Sequence, residues 1–188
     1  MKSYSNSPDH TDLMKVLMYV SQSIRSDMQQ TGQFMPRYTA LTPGGLLSMP
    51  GIKLHDETYN IEFSSTFILM CIATGATAGM LAFPSTRLDY KSNRSSCNPR
   101  RKPGVTMVGE ALSGSTIRRF LPMHSDKSGR FTTFGNPSPC MRELPEGLPF
   151  QSLPSRPPTD EERREAGSVL CGMGYHLACI HKPSSPQN

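Results

Sequence analysis

Four residues near the C-terminus carry the donor types that a soft metal would use: Cys171, His176, Cys179 and His181, all within eleven residues. Thiolate sulfur and imidazole nitrogen suit tetrahedral zinc. The spacing C-x4-H-x2-C-x-H fits no zinc knuckle or finger, and on a helix Cys171 and Cys179 share a face that His181 leaves. Buried thiols with two incidental histidines are the plainer reading, so these four remain weak candidates and no metal is assigned.

The other chemistry available is binding of negative charge. Arg87, Lys91, Arg94, Arg100, Arg101 and Lys102 fall in the 20 residues after Phe83, whereas the 20 residues before Phe63 hold only Lys53. Beside a membrane such a cluster attracts anionic lipid at about 1 kcal/mol per charge. Away from a membrane the same residues read as a nuclear-import or nucleic-acid patch. Few aromatic residues are interleaved with these bases, so a stacking platform for single strands is unsupported, and no named nucleic-acid module is present.

Catalytic signatures are missing. The chain holds no GxSxG elbow, P-loop, HExxH or EF-hand loop. Pro103–Ala111 imitates the ribityl-binding box of flavoenzymes but has no GxGxxG fingerprint upstream. Phe131–Gly135 followed by Cys140 imitates a haem-thiolate loop without the Gly and Arg such a loop needs. Neither fragment is evidence of a family. No residue is nominated as catalytic, no cofactor or small-molecule substrate is implied, and a non-enzymatic role is expected.

The elements that would position these residues are read from composition and periodicity. Ser, Pro and Gly number 23, 17 and 15 in 188 residues, Trp is absent and the hydrophobic fraction is 36%. That balance predicts islands of order joined by coil. Residues 1–84 carry 5 bases and 6 acids, and residues 85–188 carry 15 bases and 9 acids, so the second half is the basic one. Five cysteines in no familiar framework point to reduced thiols.

Leu13, Leu17, Val20, Ile24 and Met28 recur at helical spacing, and predict an amphipathic helix over 8–30 within an N-terminal segment 1–35. Segment 36–62 carries turn signals at Pro43-Gly44-Gly45 and Pro50-Gly51, with one or two short strands expected between Ile52 and Phe63. Segment 63–83 is a 21-residue uncharged run, long enough to cross a bilayer core of about 30 Å. Its mean hydropathy, roughly 1.7, is borderline for a spanning helix. Gly75 and Gly79, with Ala78 and Ala82, give it the small-residue spacing of a GxxxG association face and hence a possible homodimer.

Segment 84–135 is the basic stretch, 136–158 a Pro-rich linker, and 159–188 a C-terminal helix and tail opening on a Thr159/Glu162 capping box. The fold class expected from all this is mainly α with extensive coil. It has one transmembrane or buried apolar helix, short amphipathic helices at both ends and Pro/Ser/Gly-rich disordered linkers.

The functional expectation is a small single-pass membrane or membrane-associated protein. Its basic flank stays cytoplasmic by the positive-inside rule, placing the C-terminus in the cytoplasm, and grips anionic lipid. The alternative is a soluble, largely disordered basic adaptor of cytoplasm or nucleus that binds acidic partners or nucleic acid.

Overall fold

The structure is a computed structural model that describes residues 8–51, 56–89, 100–139 and 153–175. Helix α1 (Pro8–Thr31) leads into the hairpin β1 (Arg37–Thr42) and β2 (Gly45–Pro50). Helix α2 (Glu57–Thr74) is followed by β3 (Ala78–Asp89), β4 (Arg100–Ala111), β5 (Thr116–Ser125), β6 (Phe131–Phe134), the short β7 (Ser138–Pro139) and α3 (Asp160–Gly172). The seven strands form one antiparallel sheet in the order β2-β1-β3-β4-β5-β6, with β7 also pairing β5. The expectation of a mainly helical chain is therefore overturned.

Strand alternation gives the sheet two buried faces. Ala78, Met80 and Ala82 of β3 and Val105, Met107 and Ala111 of β4 point to one side, where Leu13, Val16, Val20, Ile24 and Met28 of α1 cover them. Leu81, Phe83 and Val108 point to the other side, against Phe63, Phe67 and Cys71 of α2. Tyr38 of β1 anchors that second core, with its ring 4.7 Å from Phe67 and 6.2 Å from Phe63. Helix α3 packs on the far side of α2, burying Ala166 and Leu170. The layers run α1, sheet, α2, α3.

This layering explains the uncharged run. Residues 63–74 belong to a helix covered by the sheet on one side and α3 on the other, and 78–83 belong to a central strand covered on both faces. An element buried on two sides has no polar face, so apolar residues run on without a period. Three of the hydroxyls that dilute the run sit on α2 and bond back along it: Ser65 Oγ, Thr66 Oγ1 and Thr74 Oγ1 donate to the carbonyls of Ile61, Glu62 and Met70 at 2.8, 3.0 and 2.6 Å.

The helix stops at Gly75, which takes φ +66° and ψ +45°, the left-handed C-cap conformation open to glycine. Among the described residues no helix is long and apolar enough to cross a membrane. The transmembrane reading is thus corrected, and the membrane placement and orientation drawn from it lose their basis.

Two further expectations change. Tyr59–Phe63, expected as strand, lies in α2, whose start is capped by Asp56 Oδ1 accepting from the Tyr59 N–H at 2.9 Å. Pro84, just after the apolar run, lies inside β3. A proline is accommodated there because β1 has already stopped opposite Ala82, leaving one side of β3 without a ladder to complete. Of the expected disordered linker 136–158, residues 153–158 pack on the protein, with Leu153 against the α2-side core and Pro158 buried.

Candidate functional site

The cationic residues are positioned by the outer ends of β3 and β4. Pairing with β1 ends at Ala82 and pairing with β5 begins at Gly104, so beyond these points β3 and β4 continue as a two-stranded ribbon. Its register sets Arg87 opposite Lys102, Leu88 opposite Arg101 and Asp89 opposite Arg100. Arg87, Arg101 and Lys102 are exposed. By alternation Arg87 and Lys102 share the face on which α2 lies, and Arg101 takes the opposite face. Charge is thus offered on both sides of the ribbon.

Two like charges directly opposite one another weaken a strand pair, and the rest of the sheet offsets that cost. The Arg87 guanidinium donates through Nη1 to Ser138 Oγ of β7 at 2.7 Å, fixing the ribbon over the sheet end. At its base the Phe120 ring lies so close to Gly104 that a Cβ there would stand 2.5 Å from the ring and 2.5 Å from the Leu121 carbonyl oxygen. Glycine at 104 is what lets β4 approach β5 this closely at the base of the ribbon.

Lys91 and Arg94 lie outside the described residues, in the connection between the two ribbon strands. Residues 84–103 together carry six bases and one acid. The structure therefore gathers Arg87, Arg100, Arg101 and Lys102 on one ribbon, while Lys91 and Arg94 fall between its two strands in the sequence.

The small-residue set is dispersed by the fold. Gly75 ends α2, while Ala78, Gly79 and Ala82 lie in β3. Ala78 and Ala82 face the α1-side core, and Gly79 is paired with Ala40 and Glu110. No helix face unites these four, so the GxxxG association face is corrected as well. Gly75 instead receives the Arg163 guanidinium of α3, 2.8 Å from where a Cβ would be.

Cys171 is exposed on α3, and His176, Cys179 and His181 lie outside the described residues. Among the described residues no group of three or more His, Cys, Asp or Glu could hold a metal ion.

The sequence reading missed a buried polar set between the sheet and α2: Tyr38, Asn60, Ser64, Thr106 and Glu110. Tyr38 Oη and Ser64 Oγ are 3.1 Å apart. Glu110 Oε1 accepts from the Leu153 N–H at 2.7 Å, tying the segment before α3 to the sheet. Burial raises the Tyr38 phenol to about 12, against the smaller downward pull of the Ser64 hydrogen bond. Burial likewise pushes the Cys71 thiol up, with the Glu110 carboxylate adding to the rise.

A thiol held protonated inside a core is a packing residue rather than a nucleophile. Both faces of β4 are covered, so alternation in its sequence does not mark Glu110 as buried. The chain matches no family model, no curated protein and no solved structure.

Proposed function

We propose that this protein is a non-enzymatic binding module that takes a polyanionic partner on the β3–β4 ribbon. The observation that carries the reading is the register of that ribbon, which sets Arg87, Arg100, Arg101 and Lys102 within three consecutive pairs. A two-stranded ribbon with cations on both faces presents charge to an extended anion along its length, the form in which strands engage nucleic-acid grooves and backbones. Neutralising phosphates with Lys and Arg releases condensed counterions, and that release supplies most of the affinity of sequence-independent binding.

The test is fluorescence anisotropy with a labelled 20-base-pair DNA duplex, repeated with polyglutamate and with vesicles containing phosphatidylserine. Engagement of about four phosphates predicts a fall of about 100-fold in affinity between 50 and 200 mM salt. Substituting Arg100, Arg101 and Lys102 together by Ala should reduce DNA affinity at low salt by at least tenfold and flatten the salt dependence. All three residues belong to the ribbon strand beyond the β5 pairing, so circular dichroism should be unchanged. The reading fails if the duplex does not bind at 50 mM salt, or if the triple variant binds it as tightly as the original. Preference for polyglutamate or for vesicles over DNA would reassign the class of polyanion.

A further inference from the structure

We infer that the open side of the α2–α3 pair is a groove for an amphipathic helix of positive charge, separate from the ribbon. Two adjoining hollows of about 470 and 450 Å³ lie along these helices, and Leu69 lines both. The α2 wall is the row Ile61, Ser65, Leu69 and Ile72, and the α3 wall is the row Glu162, Glu165 and Val169, continued by the C-cap residue Met173. Each row follows helical spacing, so the two walls are parallel tracks of side chains of the kind that receives an apolar helix stripe at i, i+3 or i+4 and i+7.

The floor is apolar, and the exposure is unusual for large apolar residues. Ile61, Val169 and Met173 are 51, 45 and 52% exposed, and Tyr175 at the groove's end is 39% exposed. Contiguous apolar surface rimmed by polar groups marks an interaction site.

Charge selects the occupant. The lining carries Glu62, Glu162 and Glu165 against one cation, Arg156, which is itself held by both oxygens of Glu162 at 2.7 and 2.9 Å. Arg163 is turned to Gly75 and away from the groove lining. The chain as a whole is +5, so this acidic lining is a local reversal of the molecular charge. A helix with an apolar stripe flanked by Lys or Arg fits both the floor and the lining, and one flanked by carboxylates is rejected at the lining.

The probe is a labelled 14-residue peptide of Leu and Lys at amphipathic spacing, compared by anisotropy with its Leu/Glu counterpart. The full chain is expected to bind the Leu/Lys peptide and not the Leu/Glu peptide. Val169→Glu with Met173→Glu, both at exposed positions, should weaken binding at least tenfold with unchanged circular dichroism. Glu62→Lys with Glu165→Lys should reverse the preference towards the Leu/Glu peptide. The ribbon variant R100A/R101A/K102A should bind the Leu/Lys peptide as the original does, which separates this site from the polyanion surface.

Failure of both peptides to bind, or undiminished binding by V169E/M173E, overturns the proposal. So does a dimer in light scattering that V169E/M173E abolishes, which would assign the groove to a second copy. Tighter peptide binding by the full-length variant Leu177→Asp with Ile180→Asp would assign it to the chain's own end.

Discussion

Tyr38 is the residue on which the α2-side core turns. Its ring stacks on Phe67 and its hydroxyl meets Ser64, all three residues being buried. Ionising it there costs the desolvation of a phenolate, which is why its value rises from an ordinary 10.0 to about 12. A group whose folded value is raised contributes stability that is complete below the ordinary value and lost as pH climbs through the folded one. Stability should therefore begin to fall near pH 9, where the Cys71 thiol, also raised by burial, ionises in the unfolded chain, and Tyr38 should add to the loss between about pH 10 and 12. Urea unfolding followed across that range is the measurement. Tyr38→Phe should remove part of the alkaline loss at the expense of the Ser64 hydrogen bond, about 1 kcal/mol at neutral pH. An unchanged alkaline profile in the Phe variant would mean that another group controls it.

Helix α3 illustrates how an element is secured at its start. Thr159 Oγ1 accepts from the Glu162 N–H at 3.3 Å, and Glu162 Oε2 accepts from the Thr159 N–H at 2.7 Å, completing the capping box. The Arg156 guanidinium grips the same carboxylate, and these bonds hold Glu162 at about 2, well below its ordinary 4.5. The sign is opposite to that of Tyr38. A depressed carboxyl contributes above its ordinary value and loses that contribution as pH falls through the folded one. Amide exchange protection in α3 should therefore be constant from neutral pH to about 4.5 and decline towards pH 2. Glu162→Gln should show no such decline, and Thr159→Ala should cost α3 about 1 kcal/mol at neutral pH.

At the scale of the molecule, the sheet separates two cores that share no side chain. Ile24 is fully buried on the α1 side and Phe67 on the α2 side. Ile24→Ala is expected to cost about 2–5 kcal/mol and Phe67→Ala about 3–5 kcal/mol, through lost burial and the cavity left behind. With a whole sheet between them, the two losses should add within about 0.5 kcal/mol. Denaturant midpoints of the two single variants and the double variant provide the check. A coupling above about 1 kcal/mol would show that the sheet transmits strain from one face to the other.

The sequence by itself determined the local features. The stripe Leu13, Val20, Ile24 and Met28 is legible as a helix face because one side of α1 stays in water and keeps a 3.6-residue period. Thr159 and Glu162 write their capping box three residues apart, and Pro43-Gly44 writes the β1–β2 turn, for the same reason: each is settled by neighbours in the chain. The six cations around the ribbon are legible as a cluster, though not as a ribbon.

Tertiary structure alone decided the stretch Phe63–Phe83. Residues 63–74 are a helix sandwiched between sheet and α3 and residues 78–83 are a strand sandwiched between α1 and α2, and a sandwiched element loses the polar face that would report its period. Length and hydropathy then measure burial without naming what does the burying, and a buried helix–strand pair has the same profile as a bilayer span. The left-handed turn at Gly75 is where the two readings part, and it becomes visible only once Arg163 and β3 are seen on either side of it.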